Sequence, residues 1–495
     1  GSLVYAKTPT EAAKLAASIS LGVTDKNAIG KNDDLITFIK DHIHPDYHLI
    51  SMVQNGVAFH YGQMPALLRD AIETAFRKGT IKFLVCTTTL FQGINLPARN
   101  VFIDTPARGR GDKQILDPAL LWNFAGRAGR MAKDIVGNVF LVNYDSWSEQ
   151  PMDVFSKFTI KSALTEAVTY CAADVLHVLE NKALSNKPRD EAHRSAVASA
   201  GMLINKARQG DIHGFLSRVA PELDVLDSYR LSEASLKASE QIALPSTVLS
   251  ANWTLDLFAL NDLMSFFEVR AADGMIDKYI PKNPLELGSR SFTHYRDIFN
   301  IMFKLIKGFD GNFGGYIARI AVRWMEGKPY PVILKYEIKS KADQVQKKRD
   351  FDNMYARTNP NYKSKKIADV NPSKVIKDTF DAIEDVVRFQ LVQMGKAYID
   401  ILSCVLVEGG ISHRVPEIFD FALALELGVS TPTGRAFLEL GLSRIAASEL
   451  QRLVPDSNLD VIRARQLILD FDHTPFSLSQ VIVDEIAKVR LVISN

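Results

Sequence analysis

The sequence predicts an α/β domain built on a parallel sheet, followed by a mostly α-helical region. From Leu3 to about Asp145, short apolar runs alternate with segments of helical periodicity, as parallel strands joined by crossover helices require. Phe83-Leu84-Val85-Cys86 is apolar at four successive positions, which suits a strand covered on both faces. After Trp147 the strand pattern nearly vanishes, and apolar residues fall at helical spacing instead.

Taken in order, strands are expected at Leu3–Lys7, Val57–Tyr61, Lys82–Thr87, Asn100–Asp104 and Gly137–Val142. Helices are expected between them at Thr10–Ser20, Asp33–His42, Pro65–Lys78 and Ala119–Ala125. The third opens with proline in its first turn and closes before Gly79. Beyond the sheet, Ser162–Glu180, Asp190–Ala207 and Val375–Val407 read as long helices. Breaks are expected at Ser185–Arg189, at Pro281–Ser291 and across Lys335–Lys374. In the last of these, eleven Lys or Arg outnumber five acids, and Tyr336, Phe351, Tyr355 and Tyr362 are interspersed. This organisation divides the chain into 1–148, 149–285 and 286–495, with the basic segment at 335–374.

A chain of 495 residues exceeds what one hydrophobic core serves, so several modules are expected. With 47% hydrophobic and 23% charged residues the composition is that of a globular protein, and no apolar run reaches the roughly 18 residues of a membrane span. No export signal is visible at Gly1-Ser2-Leu3-Val4-Tyr5. Cys86, Cys171 and Cys404 are too far apart for a disulfide framework or a Cys-x-x-Cys zinc site, which fits a reducing cytoplasm. A net charge of only +2 confines any nucleic-acid contact to a groove or channel.

Two segments carry chemistry. The run Phe83 to Pro97 ends a buried strand in Thr87, Thr88 and Thr89 and continues through Gly93 and Asn95. Residues at the carboxyl edge of a parallel sheet face the crevice where ligands bind, and hydroxyls and free amides there can hold a phosphate. About 28 residues later comes Asn123-Phe124-Ala125-Gly126-Arg127-Ala128-Gly129-Arg130. Its two guanidinium forks, three residues apart with small neighbours, suit the charge that spreads over a transferring phosphoryl group.

In this order and spacing the two segments resemble motifs V and VI of superfamily 2 helicases, most closely the Ski-type branch. Leu3-Val4-Tyr5-Ala6-Lys7-Thr8 resembles the strand of motif IV, and Gly56 to Pro65 resembles the segment before the helix that leads to motif V. The resemblance covers roughly residues 3 to 145 and implies a RecA-like fold, the second motor domain of an ATP-dependent helicase. It further implies that Arg127 and Arg130 contact the ATP phosphates, one as arginine finger, with Gly93, Asn95, Asn123 and Gly126 lining the nucleotide cleft. Thr87, Thr88 and Thr89 would hold the nucleic-acid backbone, with Lys7, Thr8 and His60 in the same groove. Asn123 stands where the family often has glutamine, one methylene longer. ATP and Mg2+ would be held mainly by an N-terminal RecA-like half outside this sequence. Within it the Gly-Lys pairs at Gly30, Gly327 and Gly395 are followed by Asn32, Pro329 and Ala397, so no Gly-x-x-x-x-Gly-Lys-Ser/Thr exists.

The partners implied are that N-terminal half and nucleic acid, DNA favoured over RNA, with no membrane. Arg108-Gly109-Arg110-Gly111 lies where Ski-type helicases carry a strand-separating hairpin, and a flexible basic loop fits equally. In such relatives the helical part includes a winged helix and a ratchet, which the resemblance implies at 149–285 and 286–495. The helical tail also resembles helicase subunits of anti-phage defence systems such as Hachiman, which implies a nuclease partner. Leu440 to Arg444 resembles a helix-hairpin-helix within 431–455, with Gly441 and Ser443 toward phosphates, or else a plain turn between packed helices. Tyr316, Arg319 and Arg323 fall on one helical face and could track a strand.

Asp190-Glu191-Ala192-His193 is read as a helix start with Asp190 as cap, and His42, His44 and His48 as a surface connector. The competing class is a nucleic-acid clamp or scaffold that keeps the fold without turnover.

Overall fold

Five short strands make the sheet: β1 (Ser2–Tyr5), β2 (Val57–His60), β3 (Phe83–Cys86), β4 (Asn100–Ile103) and, later in the chain, the more exposed Asn138–Leu141. Leu84, Val85 and Cys86 are wholly buried, as a central strand with helices on both faces should be. The computed structural model describes all residues except 24–30, 89–95, 105–106, 109–113, 130–135, 148–149, 151–161, 182–190, 310, 312, 360–361, 363, 365, 455 and 495.

The crossovers are α1 (Pro9–Gly22), α2 (Asp33–His42), α3 (Leu49–Gln54), α4 (Ala66–Lys78) and α5 (Pro118–Ala125). Thr8 starts α1 by accepting the Glu11 N–H at 3.2 Å, while the Glu11 carboxylate accepts the Lys7 N–H at 2.9 Å and Pro9 fills the first turn. Gly79 ends α4 in the left-handed conformation, φ 78°. A two-stranded ribbon, β5 (Ala107–Arg108) with β6 (Gln114–Ile115), precedes α5, so Asn138–Leu141 is β7. Sheet order is β2-β3-β1-β4-β7, all parallel, with Ser2 opposite both Phe83 and Asn100 and His60 opposite Cys86. Every carboxyl end therefore opens on one edge.

The remaining chain is helical: α6 (Ala163–Tyr170), α7 (Ala172–Leu179), α8 (Glu191–Arg208), α9 (Ile212–Val219), α10 (Val225–Gln241), α11 (Ser246–Ala251), α12 (Leu257–Ala272), α13 (Pro284–Leu287), α14 (Ser291–Lys307), α15 (Phe313–Met325), α16 (Tyr330–Thr358), α17 (Pro372–Asp381), α18 (Leu391–Glu408), α19 (Phe421–Leu427), α20 (Pro432–Glu439), α21 (Arg444–Leu453), α22 (Val461–Asp470) and α23 (Gln480–Ile493). The chain divides into two compact units, one of Gly1–Phe158, Gly327–Glu384 and Thr431–Asn495, the other of Thr159–Glu326 and Asp385–Ser430.

In the first unit the late helices return to the sheet domain. Tyr47 meets Phe59 and Phe380 edge-on at 6.2 and 6.4 Å, Ser373 accepts the His48 N–H at 3.0 Å, and α23 packs on α2. In the second unit α14 lies against α15, with Gly314 so close to Asn300 that a Cβ there would sit 2.1 Å from its Oδ1. The Trp324 indole donates to Leu425 O at 2.8 Å and Tyr398 donates to Tyr279 O at 2.7 Å.

Three expectations need correction. Ser162–Glu180 is two helices, broken at Cys171. The break expected across Lys335–Lys374 is narrower: α16 runs to Thr358, because its lysines, glutamines and arginines favour helix and no glycine or proline lies between Pro331 and Thr358, and the described residues from Asn359 to Asn371 are outside any helix. Pro372–Glu408 is, by length and composition alone, long and apolar enough to cross a membrane. Its apolar window is 56% buried, as in a core helix. It continues through a π-helical stretch at Ala382–Gln390.

His60 supplies a pH test. Burial pulls its imidazole down to about 3, so the folded state keeps it neutral where the unfolded chain takes up a proton. Its contribution is complete above the unfolded value of about 6.5 and is lost as pH falls from there toward about 3. Denaturant unfolding from pH 7 down to about 4 should show stability falling by up to about 1.4 kcal/mol per pH unit on account of this group. The slope should be shallower by that amount in His60→Gln; an equal slope in both proteins assigns the effect to other groups.

Candidate nucleotide and nucleic-acid interface

The open edge of the sheet collects the ends of β1, β2 and β3, and with them most of the residues expected to meet ligand. Thr87 follows Cys86 directly; it is 8% exposed and bonded within the fold, and Thr88 beside it is half-buried. Lys7 and Thr8 follow β1, with the Thr8 oxygen engaged in capping α1. Thr89, Gly93 and Asn95 lie outside the described residues.

His60 is not a groove residue. It is fully buried at the end of β2, its Nε2 3.6 Å from Oε1 of Glu73, itself only 3% exposed. Arg77 reaches the other Glu73 oxygen at 3.2 Å. Burial holds the Glu73 carboxyl above its ordinary range, and the neighbouring Asp70 adds to this while Arg77 and Arg69 oppose it. An imidazole closed off from solvent by the β2–α4 core cannot touch a passing strand.

The arginine-bearing segment is fixed from both ends. Asp117 caps α5 by accepting the Ala119 N–H at 2.7 Å, and Phe124 packs edge-on against Tyr5 of β1 with centroids 5.9 Å apart. After α5 the chain adds an extended piece beside the residues entering β4: Ala98 N–H donates to Arg127 O at 3.0 Å, and Gly129 N–H to Ala98 O at 2.8 Å. Gly129 has φ 98°, and a Cβ on Gly137 would lie 2.1 Å from Gly129 N. The Arg127 side chain is half-buried, and that burial lowers its pKa. Cys86 and Glu73 oppose that shift. Asn123 and Gly126 are exposed on the same segment, and Arg130 lies outside the described residues.

The other expected contacts are spread out. Ala107 pairs with Ile115 and Arg108 with Gln114, so a hairpin stem stands between the two motifs; Arg110 lies outside the described residues. In the second unit, Tyr316, Arg319 and Arg323 form the half-exposed strip of an otherwise buried α15. Arg319 lies over the Tyr316 ring at 5.7 Å, and Arg323 donates to Arg319 O at 2.7 Å. Gly441 and Ser443 form the turn between α20 and α21, Gly441 at φ 97°. There the Glu485 carboxylate already accepts the Ser443 N–H at 2.8 Å and its hydroxyl at 2.9 Å, so the turn is a packing joint rather than a phosphate site. Glu191 begins α8, with Asp190 outside the described residues, and His42 lies 3.7 Å from Glu449.

Comparison with known proteins bears on this geometry. Residues 30–132 match the family model of the helicase conserved C-terminal domain. The chain is 30% identical over 139 residues to anti-bacteriophage protein B of Escherichia coli K12, covering 28% of this chain and 18% of that protein. It is 40% identical over 95 residues to the ATP-dependent DNA helicase Hel308 of Aeropyrum pernix, covering 19% and 13%. To the antiviral helicase SKI2 of Saccharomyces cerevisiae it is 37% identical over 98 residues, covering 19% and 8%. Residues 30–132 thus carry a helicase C-terminal domain, and over this part the chain is similar to superfamily 2 helicases. Its matched part spans less than a fifth of the length of each of these three relatives.

Within the helicase domain, sequence reasoning missed Tyr5, Glu73 and Gly137. Glu73 could have been found, since it interrupts the apolar face that Leu68, Ile72 and Phe76 make on α4. The need for Gly137 appears only when two distant backbones meet. Gly137→Ala must displace Ala128 or Gly129 and should cost about 1–3 kcal/mol in denaturant unfolding, the range for overpacking. Gly22→Ala, with nothing within 4 Å of its Cβ, should be neutral or mildly stabilising; equal values for the two would disprove the close approach.

Proposed function

We propose that the intact protein couples ATP hydrolysis to movement along nucleic acid, and that residues 1–148 are its second RecA-like motor domain. One observation carries the reading: Arg127 lies on the segment matched by the helicase C-terminal model, half-buried and paired through its backbone with Ala98. A half-buried guanidinium suits a phosphate oxygen. Bound ATP supplies the γ-phosphoryl group and Mg2+ neutralises its oxygens. Arg127 and Arg130 would stabilise the charge on that group as it leaves, while Asn123 and Gly126 line the cleft. Thr87 and Thr88 would hold the strand backbone, and the ribbon at Ala107–Ile115 would meet the strand junction. The N-terminal half would hold the β-phosphate and the magnesium.

DNA is the favoured track, in line with the DNA helicase Hel308 among the relatives, and the kinship to anti-bacteriophage protein B supports a role in phage defence; the resemblance to Hachiman-type subunits would add a nuclease partner. The helices beyond residue 148 would grip the moving strand.

In the intact protein Arg127→Ala or Arg130→Ala should lower turnover by roughly 10³-fold, the scale of a lost arginine finger, with strand affinity nearly unchanged. Steady-state ATPase and anisotropy on one preparation check this, and wild-type turnover in both variants removes the two residues from the site. The 495 residues alone should show no nucleic-acid-stimulated ATPase, because they hold no phosphate-cradling Gly-Lys-Ser/Thr loop. Thr87→Val should lower the ratio of stimulated to basal ATPase in the intact protein. An unchanged ratio, or a large fall in melting temperature, makes the residue structural.

A further inference from the structure

Only the first turns of α16 are anchored, by Tyr330, Ile333, Leu334 and Glu337; beyond them Asp352 alone is buried. Lys341, Gln344, Lys348, Phe351 and Tyr355 follow one another at intervals of 3, 4, 3 and 4 residues and so share one face, and all five are exposed. The face runs for about 21 Å along the helix axis. At about 100° per residue, the exposed Asp343 and Asp350 point more than about 90° away from the centre of this face, and the acid nearest its aromatic end, Asp352, is buried.

Three aromatic rings close its far end. Phe351 and Tyr355 have centroids 5.1 Å apart, Tyr355 and Tyr362 5.4 Å, and Phe351 is 58% exposed. The returning segment is pinned in place: Tyr362 donates to Asp352 at 2.7 Å, the Ser364 hydroxyl donates to the same carboxylate, and Arg349 bonds Ile367 O at 2.9 Å and Asp369 at 2.7 Å. Arg357 and Lys366 stand exposed on either arm of this hairpin-like end. A merely solvated face gives no reason to hold three rings together and leave two of them open to water. Rigid, exposed rings in line with lysines are what a polyanion with flat, stackable bases requires.

We propose that this face of α16 is a stacking platform for single-stranded nucleic acid, with bases on Phe351 and Tyr355 and phosphates on Lys341 and Lys348. It goes beyond the motor reading and rests on it only in that the protein handles nucleic acid. The test uses the full chain and a fluorescein-labelled oligothymidylate of about 20 nucleotides, by anisotropy across a salt series. Phe351→Ala/Tyr355→Ala should bind about tenfold or more weakly with the salt slope unchanged. Lys341→Ala/Lys348→Ala should reduce the slope by about 1.4, two single-strand phosphate contacts. Phe351→Leu/Tyr355→Leu, which keeps apolar bulk, should weaken binding like the alanine pair, while all variants melt with the wild type. A strand carrying 5-iodouracil should crosslink to Phe351, Tyr355 or Tyr362. If the wild type binds strand and the aromatic variants bind it equally well, the platform is refuted and the face serves a protein partner. If the wild type binds no strand, the platform is refuted, while the motor reading stands or falls separately on the nucleic-acid-stimulated ATPase of the intact protein.

Discussion

Two backbone hydrogen bonds hold the candidate site together, from Ala98 N–H to Arg127 O and from Gly129 N–H to Ala98 O. They join the residues that leave the β3 loop to the residues that follow α5, so two segments some thirty positions apart in sequence share one piece of backbone pairing. Hydrogen bonds of this kind each contribute only about 1 kcal/mol net, so their value here is positional. They fix where Arg127 starts, and the Tyr5–Phe124 contact fixes the helix that delivers it. The glycines follow from the same constraint: Gly137 has no room for a side chain because Ala128 and Gly129 occupy the space, and Gly129 adopts a backbone that a Cβ disfavours.

Beside this joint the fold tolerates a costly arrangement. His60 and Glu73 are both removed from water, and burial disfavours the charged form of each. For Glu73, Arg77 and Arg69 oppose it; for His60, Arg69 adds to it. The same carboxylate also acts on the Arg127 guanidinium, against the effect of that group's own burial. Interactions in this partly dry region are felt more strongly than they would be in water. A core made only of Leu and Ile at positions 60 and 73 would be more stable and would leave Arg127 without that influence.

All five strands and the four expected crossover helices were legible in the sequence to within about two residues, because each is a run whose burial pattern matches its period. Leu49–Gln54 escaped notice: six residues are too few to show a helical period. The basic run was misread for a different reason. Charge density was taken as a sign of irregular chain, yet Lys, Gln and Arg are good helix formers, and only the seating of Tyr330, Ile333 and Leu334 decides that the helix begins. In the site, Arg127 and Thr87 could be named because their motifs are local strings. His60 was misplaced because the string cannot tell the mouth of a strand from its core. That Glu73 lies opposite His60 depends on the packing of α4 over β2, which no short window contains.

The turn at Gly441 and Ser443 shows how a local string can be satisfied by a partner of the wrong kind. The amide and hydroxyl of Ser443 at the start of α21 would suit an anion, and an anion is there, the Glu485 carboxylate of α23. Burial raises the pKa of that carboxyl, and the two Ser443 bonds oppose the rise. An incoming phosphate would have to displace a group attached to the same chain and already at high effective concentration. The joint therefore works inward: it ties α21 to α23, which packs on α2 at the flank of the sheet domain. The helical hairpin thus stabilises the first unit, and α16 in this unit presents a run of positive charge to solvent, where Lys339, Lys341, Lys347 and Lys348 are exposed and no carboxylate bond to them is seen among the described residues.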